Sequence, residues 1–464
     1  MNVAHEIFET LSSWGPLDTW IVVIGALAAM ACALVGNFLI LRRQSMMGDA
    51  LSHTALLGIV VGFLFAVMLR DAGWISGETY AATRHLAVFV GAMIVGVLSA
   101  LLAEVVQKLG RVEASAALGA VFTTVFAAGL LGLRLYADDV DLDPDCVLYG
   151  TIETAFMNQY GNTGIPSAAI VTGVTFVVNA ILVVLLLKEL RITAFDPALA
   201  STMGISSRLM HYGLMAVTAV TLVAAFETVG SILVIAMLIV PPATAHLLTD
   251  RLGSMILVSL VVAALSAALG HVLAITVPSI IFSRLGFETV VDASTAGMMA
   301  VASGLLFVSA MLFGPRHGIL SKVMRQAALA LRIASEDLLG SLYRWNEQQV
   351  PGEPGMSPPR RLGAGRLIGA LAVLKLRSSG LITASASGYE LTDLGHRAAE
   401  DLVRSHRLWE SYMARHFELP DDHLHVAAEQ VEHFLGSDLR EQIAAELDRP
   451  RVDPHGRSIP GKPE

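Results

Sequence analysis

Cysteine is nearly absent: this chain of 464 residues holds only 2, one in an apolar run (Cys32) and one in an acidic stretch (Cys146). Such a pair offers neither a disulfide framework nor thiolate metal-ligand spacing. Charge is scarce as well, with 15% charged residues against 54% hydrophobic and a mean hydropathy of +0.63. That balance excludes a chain that is soluble along its whole length and marks an integral membrane protein. No G-x-x-x-x-G-K-[ST] run occurs, so the chain does not hydrolyse ATP in the P-loop manner. The lack of an H-E-x-x-H run removes the main support for a hydrolytic metal enzyme. With Glu6 and Glu9 and no basic residue ahead of the first apolar run, the N-terminus does not read as a cleaved signal peptide.

What is present is unevenly spread. Nine long apolar runs lie near 18–41, 51–69, 87–107, 115–133, 166–187, 209–226, 229–247, 253–276 and 294–313, and 331–464 reads as a charged soluble domain. Most runs approach the roughly 20 residues that a helix needs to cross the hydrocarbon. The sixth and seventh are separated only by Glu227 and Thr228, which makes a tight hairpin. With the N-terminus outside, the inner flanks carry Arg42, Arg43, Lys108, Arg111, Lys188, Arg191, Arg208, Arg251 and Arg316, and the outer flanks only Arg70, Arg84, Arg134 and Arg284. The excess of basic residues predicts N-out, C-in, with the tail in the cytoplasm. The acidic stretch Asp138, Asp139, Asp141, Asp143 and Asp145 then falls outside and reads as a solvated loop.

Asp49 and His53 stand four residues apart at the mouth of the second run. On a helix they share one face, and an ionisable pair at membrane depth lines a pathway or pairs internally. Carboxylate plus imidazole suits Mn²⁺, Fe²⁺ or Zn²⁺; the plainer alternative is a helix-start Asp beside a His satisfied by a backbone carbonyl. Pro241-Pro242 is expected to break the seventh run, while Glu227 and His271 read as structural or interfacial as readily as ligands. Between the fifth and sixth spans, Lys188–Ala200 is helix-capable, and Asp196 before Pro197 is a helix start.

The tail concentrates metal-ligand types. His406 and Glu410 lie at i and i+4, and His425, Glu429, Glu432 and His433 would share one side of a single helix over about two turns. Residues 350–366, rich in Pro, Gly and Arg, mark a break before this region.

Residues 18–318 resemble the permease subunit of the zinc/manganese/iron family of ABC importers. The resemblance rests on Leu41-Arg42-Arg43-Gln44-Ser45-Met46-Met47-Gly48-Asp49-Ala50-Leu51-Ser52-His53, Phe195-Asp196-Pro197, Ile239-Val240-Pro241-Pro242-Ala243-Thr244-Ala245 and Phe313-Gly314-Pro315-Arg316-His317-Gly318. It implies that Asp49 and His53 contact the transported metal and that Phe195, Asp196 and Pro197 open a coupling helix for an ATPase. It also implies an ATP-binding subunit, an extracytoplasmic metal-binding protein and a second permease copy or sister permease as partners, in the bilayer of a bacterial inner membrane.

From about 335 to 460 the tail is similar to metal-dependent repressors of the diphtheria-toxin-repressor and manganese-regulator family. The matching stretches are Leu391-Thr392-Asp393-Leu394-Gly395, Arg404–Glu410, Glu432-His433 and Asp453-Pro454-His455-Gly456-Arg457-Ser458-Ile459-Pro460. This resemblance implies one metal centre at Glu429, Glu432 and His433, with Asp337 as a fourth member, and places His406, Glu410 and His425 at this or a neighbouring centre. Glu429 stands where iron-responsive members have cysteine and manganese-responsive members glutamate, and a hard oxygen there favours Mn²⁺. Gly340 departs from the manganese type, which has a further acidic ligand there. The winged helix expected over Ser357–Leu381 is degenerate: Gly369–Leu374 is small and apolar, leaving Arg366, Lys375 and Arg377 as candidate DNA contacts.

The expected architecture is an all-α polytopic membrane domain of about nine transmembrane helices, followed by a mainly α cytoplasmic domain. Its divisions fall at 1–318 (permease), 319–350 (helical linker and first tail helix), 351–390 (winged-helix-like) and 391–464 (metal-binding and dimerisation). The expected function is import of a divalent transition metal, manganese favoured and then zinc or iron, with a metal-sensing tail. The alternative is a membrane-tethered or released metal-dependent transcriptional repressor.

Overall fold

A computed structural model describes residue 12 and residues 14–75, 77–136, 150, 152–157, 159–160, 164–284, 293–348, 365–385, 388–417 and 421–461. The acidic stretch Asp138–Asp145, Cys146 and the Pro/Gly-rich segment 351–364 lie outside the described residues, as do the side chains of Asp49 and Glu227. The chain divides into two compact units, Met1–Ser321 and Lys322–Glu464.

The first unit is a helical bundle of α1 (Pro16–Leu41), α2 (Ser45–Asp71), α3 (Gly77–Gly110), α4 (Ala114–Tyr136), α5 (Ser167–Leu185), the short α6 (Leu187–Phe195) and α7 (Pro197–Thr202), α8 (Ser207–Leu248), α9 (Leu252–Arg284) and α10 (Thr295–Phe313). Among the described residues, eight helices are long and apolar enough to cross a membrane. The remaining apolar run, Leu233–Leu248, is a shorter helix that continues α8.

The sixth and seventh runs do not form a hairpin but continue as one kinked helix, and the prolines expected to break the seventh run do not break it. Pro241 and Pro242 sit inside α8, and the non-helical residue is Gly230, with φ 75° and ψ 162°. A positive φ there is open to glycine and strained for other residues. Pro242 has no N–H to give the carbonyl four residues back, that of Leu238. Gly36 of α1 lies against this same carbonyl: a Cβ at Gly36 would stand 1.8 Å from the Leu238 oxygen. The helix continues through its prolines, and α1 packs against it there at the closest approach a glycine allows.

α1 is the central element, 72% buried across its apolar window and packed on α5, α8 and α9. Buried amides tie it in: Asn37 Nδ2 donates to Ser259 Oγ at 2.8 Å, and Asn179 Nδ2 to Thr221 Oγ1 at 2.8 Å and the Ala31 carbonyl at 3.2 Å. Interhelical hydrogen bonds and small residues at crossings are how helices associate where lipid is as apolar as leucine. At the α2–α3 crossing a Cβ on Gly62 would stand 2.2 Å from the Ala87 carbonyl oxygen.

The second unit opens within α11 (Ile319–Gln348) and continues through α12 (Arg366–Ser378), the hairpin β1 (Ile382–Ser385) and β2 (Gly388–Leu391), α13 (Asp393–His416), α14 (Asp421–Val431) and α15 (Ser437–Glu446). β1 and β2 pair antiparallel with Ile382 opposite Leu391, giving the helix-then-hairpin outline of a winged helix. Thr392 caps α13, its hydroxyl accepting from the Gly395 N–H at 3.1 Å. A Cβ at Gly395 would stand 1.9 Å from the Leu381 carbonyl oxygen, so this close approach needs glycine. Leu338, Leu339, Leu342, Leu376, Ile382 and Ala399 form one core, and Leu408, Leu435, Ile443, Ala444 and Leu447 another.

Candidate metal centres

In the bundle, Asp49 and His53 lie one turn apart near the start of α2. The His53 ring stacks on Phe122 at 5.8 Å and meets Phe126 edge-on at 5.2 Å, both on α4. His271, in the second half of α9, is only 2% exposed. Its Nε2 lies 3.0 Å from Asp18 Oδ1 and its Nδ1 3.2 Å from Thr295 Oγ1, so it crosslinks α1, α9 and α10. Asp196 is a helix cap: its Oδ1 accepts from Ala198 N at 3.0 Å and Leu199 N at 2.9 Å, and Pro197 opens α7. Phe195 is exposed beside it. Arg42 Nη2 donates to Thr193 Oγ1 at 2.7 Å, joining the end of α1 to α6.

In the tail, two groups of ligand atoms converge, His406 with Glu410 and His425, and Asp337 with Glu432 and His433, each within 4.8 Å. Around the first group, the two imidazoles of the group and that of His455 face one oxygen, Glu410 Oε1. His425 Nδ1 lies at 2.9 Å, His406 Nε2 at 3.0 Å and His455 Nε2 at 3.8 Å. In the second, His433 Nε2 lies 3.1 Å from Asp337 Oδ1, and its Nδ1 lies 2.8 Å from Glu336 Oε2. Glu432 stands between the groups, with Oε2 2.5 Å from His406 Nδ1 and Oε1 3.9 Å from His433 Nε2.

The expected single helix from 425 to 433 stops at Val431, and Glu432 and His433 belong to a 3-10 turn, Glu432–Phe434. The tighter winding turns this pair into the protein, while Glu429 stays exposed on α14, outside both groups. Sequence reasoning missed Glu336, whose carboxylate holds the outer nitrogen of His433 from 97 residues away. Its adjacency to Asp337 was the only local signal. It also missed Arg407, 2% exposed, which makes a paired contact with Glu347 at 2.5 and 3.0 Å and reaches Asp453 at 3.6 Å. That ion pair fastens the Asp453–Pro460 loop, and with it His455, beside Glu410.

The imidazoles and carboxylates of the two groups shift one another's protonation. The contacts with Asp337 and Glu336 raise His433 to about 9. Burial alone would lower His406, but hydrogen bonds to Glu410 and Glu432 prevail and raise it. Burial alone would raise Glu410, yet the hydrogen bond and charge of His406, followed by those of His425, bring it to about 2. Protons thus neutralise carboxylates where a cation could. Glu432 Oε1 is buried without a hydrogen-bond partner; a buried acceptor left so is costly, and a divalent ion would satisfy it. The donors, carboxylate oxygens and imidazole nitrogens without thiolate, fit Mn²⁺, Fe²⁺ or Zn²⁺.

A many-span helical bundle joined to a tail of converging imidazoles and carboxylates defines a polytopic membrane protein with metal-ligand chemistry on its tail. The chain belongs to the ABC 3 transport family, which it matches over residues 17–314. Residues 392–461 match the iron dependent repressor, metal binding and dimerisation domain. The manganese transport system membrane protein MntD of Bacillus subtilis is 38% identical over 311 residues, covering 66% of this chain and 96% of that protein. The zinc transport system membrane protein TroD of Treponema pallidum is 38% identical over 313 residues, 67% of this chain and 78% of that one. The fold resembles PsaBC from Streptococcus pneumoniae in complex with Fab, with a TM-score of 0.51 and 24% identity over 68% of this chain and 97% of that chain.

Proposed function

We propose that this chain is the membrane-spanning subunit of an ATP-driven importer of a divalent transition metal, with manganese favoured over zinc and iron, and that its tail senses the imported ion in the cytoplasm. The observation that carries the reading is the joining, in one chain, of a bundle 38% identical to manganese and zinc transport proteins with a tail holding two imidazole–carboxylate groups. Asp49 and His53 contact the ion in transit. Phe195, Asp196 and Pro197 present α7 to a separate ATP-binding subunit. An extracytoplasmic metal-binding protein delivers the ion, and a second permease copy or sister permease completes the pathway in the inner membrane. Metal on the tail slows uptake, which requires the tail's metal-loaded and metal-free states to differ in their effect on transport.

The test is uptake of radiolabelled Mn²⁺ by cells carrying the importer. Asp49→Ala and His53→Ala should each abolish uptake at normal membrane levels; survival of uptake in both would overturn the pathway assignment. Ala at Glu432 and His433 should relieve the slowing at high internal metal. Unchanged uptake at every internal level would rule out feedback.

Operator reading by the tail is the weaker alternative. The exposed face of α12 carries Leu367, Leu371 and Leu374 at helical spacing, with Arg366, Lys375 and Arg377 at its ends. Leucines read no base edge beyond a thymine methyl, so this helix suits a protein contact better than a major groove.

A further inference from the structure

α11 does not begin as an ordinary linker. Five residues, Gly314–Gly318, separate it from the end of the last span, and they are tightly wound. The Gly318 N–H donates to the Gly314 carbonyl at 3.1 Å, and the Ser321 hydroxyl lies 2.9 Å from the carbonyls of both Gly314 and Gly318. Arg316 and His317 both hold Asp250, at 2.5 and 2.8 Å, in the turn between α8 and α9. The first turn of α11 is therefore fastened to the span ends where α8, α9 and α10 meet, the end of the bundle from which these helices would leave a bilayer.

The residues that follow are strongly two-sided. At about 100° per residue, Ile319, Leu320, Val323, Met324, Ala327 and Leu331 fall within an arc of roughly 140°. Lys322, Arg325 and Arg332 fall on the opposite side, where Leu329 is the one large apolar residue. Ile319, Leu320, Val323 and Met324 are 45–64% exposed. Apolar residues on one face with basic residues on the other make up the pattern of a helix lying in a membrane interface, and lysine and arginine there are drawn to anionic headgroups.

We propose that residues 319–331 bind an anionic lipid surface, with the Ile319–Leu331 arc in the headgroup and acyl boundary and the Lys322–Arg325 side towards phosphates and water. Two features select lipid over a protein partner. The helix starts where the spans end, and its polar side is basic, as an anionic surface demands. The tail would then be held to the membrane by this segment as well as by its covalent link to α10.

The test uses the full chain in lipid nanodiscs, with Cys32→Ala and Cys146→Ala as background and a single spin-labelled cysteine in turn at Leu320, Val323, Lys322 or Leu329. Size-exclusion behaviour and thermal melting verify folding of each variant. In phosphatidylglycerol discs, labels at 320 and 323 should collide more with oxygen than with a water-soluble nickel chelate, and labels at 322 and 329 the reverse. In phosphatidylcholine discs the contrast should shrink at least twofold. Equal access of the nickel chelate to all four positions would overturn the proposal by leaving the arc in water. Exclusion of both reagents at 320 and 323 would overturn it in favour of a protein cover.

Discussion

Glu432 Oε2 lies 2.5 Å from His406 Nδ1, while its other oxygen faces His433 at 3.9 Å, so one buried carboxylate links the two ligand groups of the tail. Loss of this one side chain should disturb both centres. In Glu432→Gln, metal bound by the detergent-purified chain should weaken at both groups by at least the 10–100-fold typical of altered metal shells. Titration against a metal-indicator dye reads it. Retention of one full-affinity ion would mean that the groups act separately.

His433 gives the tail a pH signature. Its raised value, about 9 against an ordinary 6.5, means that a bound ion must displace a proton throughout the neutral range. Apparent affinity at the Asp337–Glu432–His433 group should therefore rise with pH, by about tenfold per unit up to about 9 from this proton alone. The stability of the metal-free tail should run the other way. A value raised by folding contributes stability that is fully present below about 6.5 and is lost as pH rises through about 9. Affinity titrations and melting curves between pH 6 and 10 check both slopes, and parallel trends would contradict the assignment.

Glu336 should set the orientation of His433 rather than bind metal itself. A carboxylate on the outer imidazole nitrogen fixes the ring and strengthens the ligand. Glu336→Gln should weaken metal binding about 10–100-fold at that group and leave the His406–Glu410–His425 group unchanged. A loss at both groups would point to general unfolding.

Arg407 should matter through the charges it leaves behind. Its removal leaves the part-exposed Glu347 and the buried Asp453 without their counter-charge, Asp453 keeping the N–H groups of His455 and Arg457, a loss bounded by the roughly 3–5 kcal/mol of a fully buried pair. Arg407→Ala should lower the melting temperature of the tail and free the Asp453–Pro460 loop for proteolysis. An unchanged melt would show the pair to be incidental.

Among the described glycines of the bundle, Gly36 is the most tightly packed. Since a Cβ there would stand 1.8 Å from the Leu238 oxygen, Gly36→Ala must push α1 away from α8. Loss of folded protein from the membrane fraction is the expected result.

Hydrophobic runs of spanning length and the cap at Asp196-Pro197 were legible because each depends on residues close in sequence. Helix periodicity and caps are set by spacings of about four residues. The i, i+4 pairing of His406 with Glu410 was legible for the same reason. What the sequence alone could not settle was which residues meet across distance. A hairpin was expected at Glu227-Thr228 and a break at Pro241-Pro242, yet the chain runs on as one helix kinked at Gly230, and the prolines sit inside it where Gly36 lets α1 pack closely. Glu429 looked like a ligand on a uniform helix, yet the 3-10 turn at 432–434 carries Glu432 and His433 inward without it. Glu336, Arg407 and the shared role of Glu432 depend on partners 26 to 97 residues away. The sequence determined the elements and the kinds of ligand atom. Only tertiary packing decided which atoms converge, because a buried carboxylate or imidazole takes the partner that desolvation brings within reach.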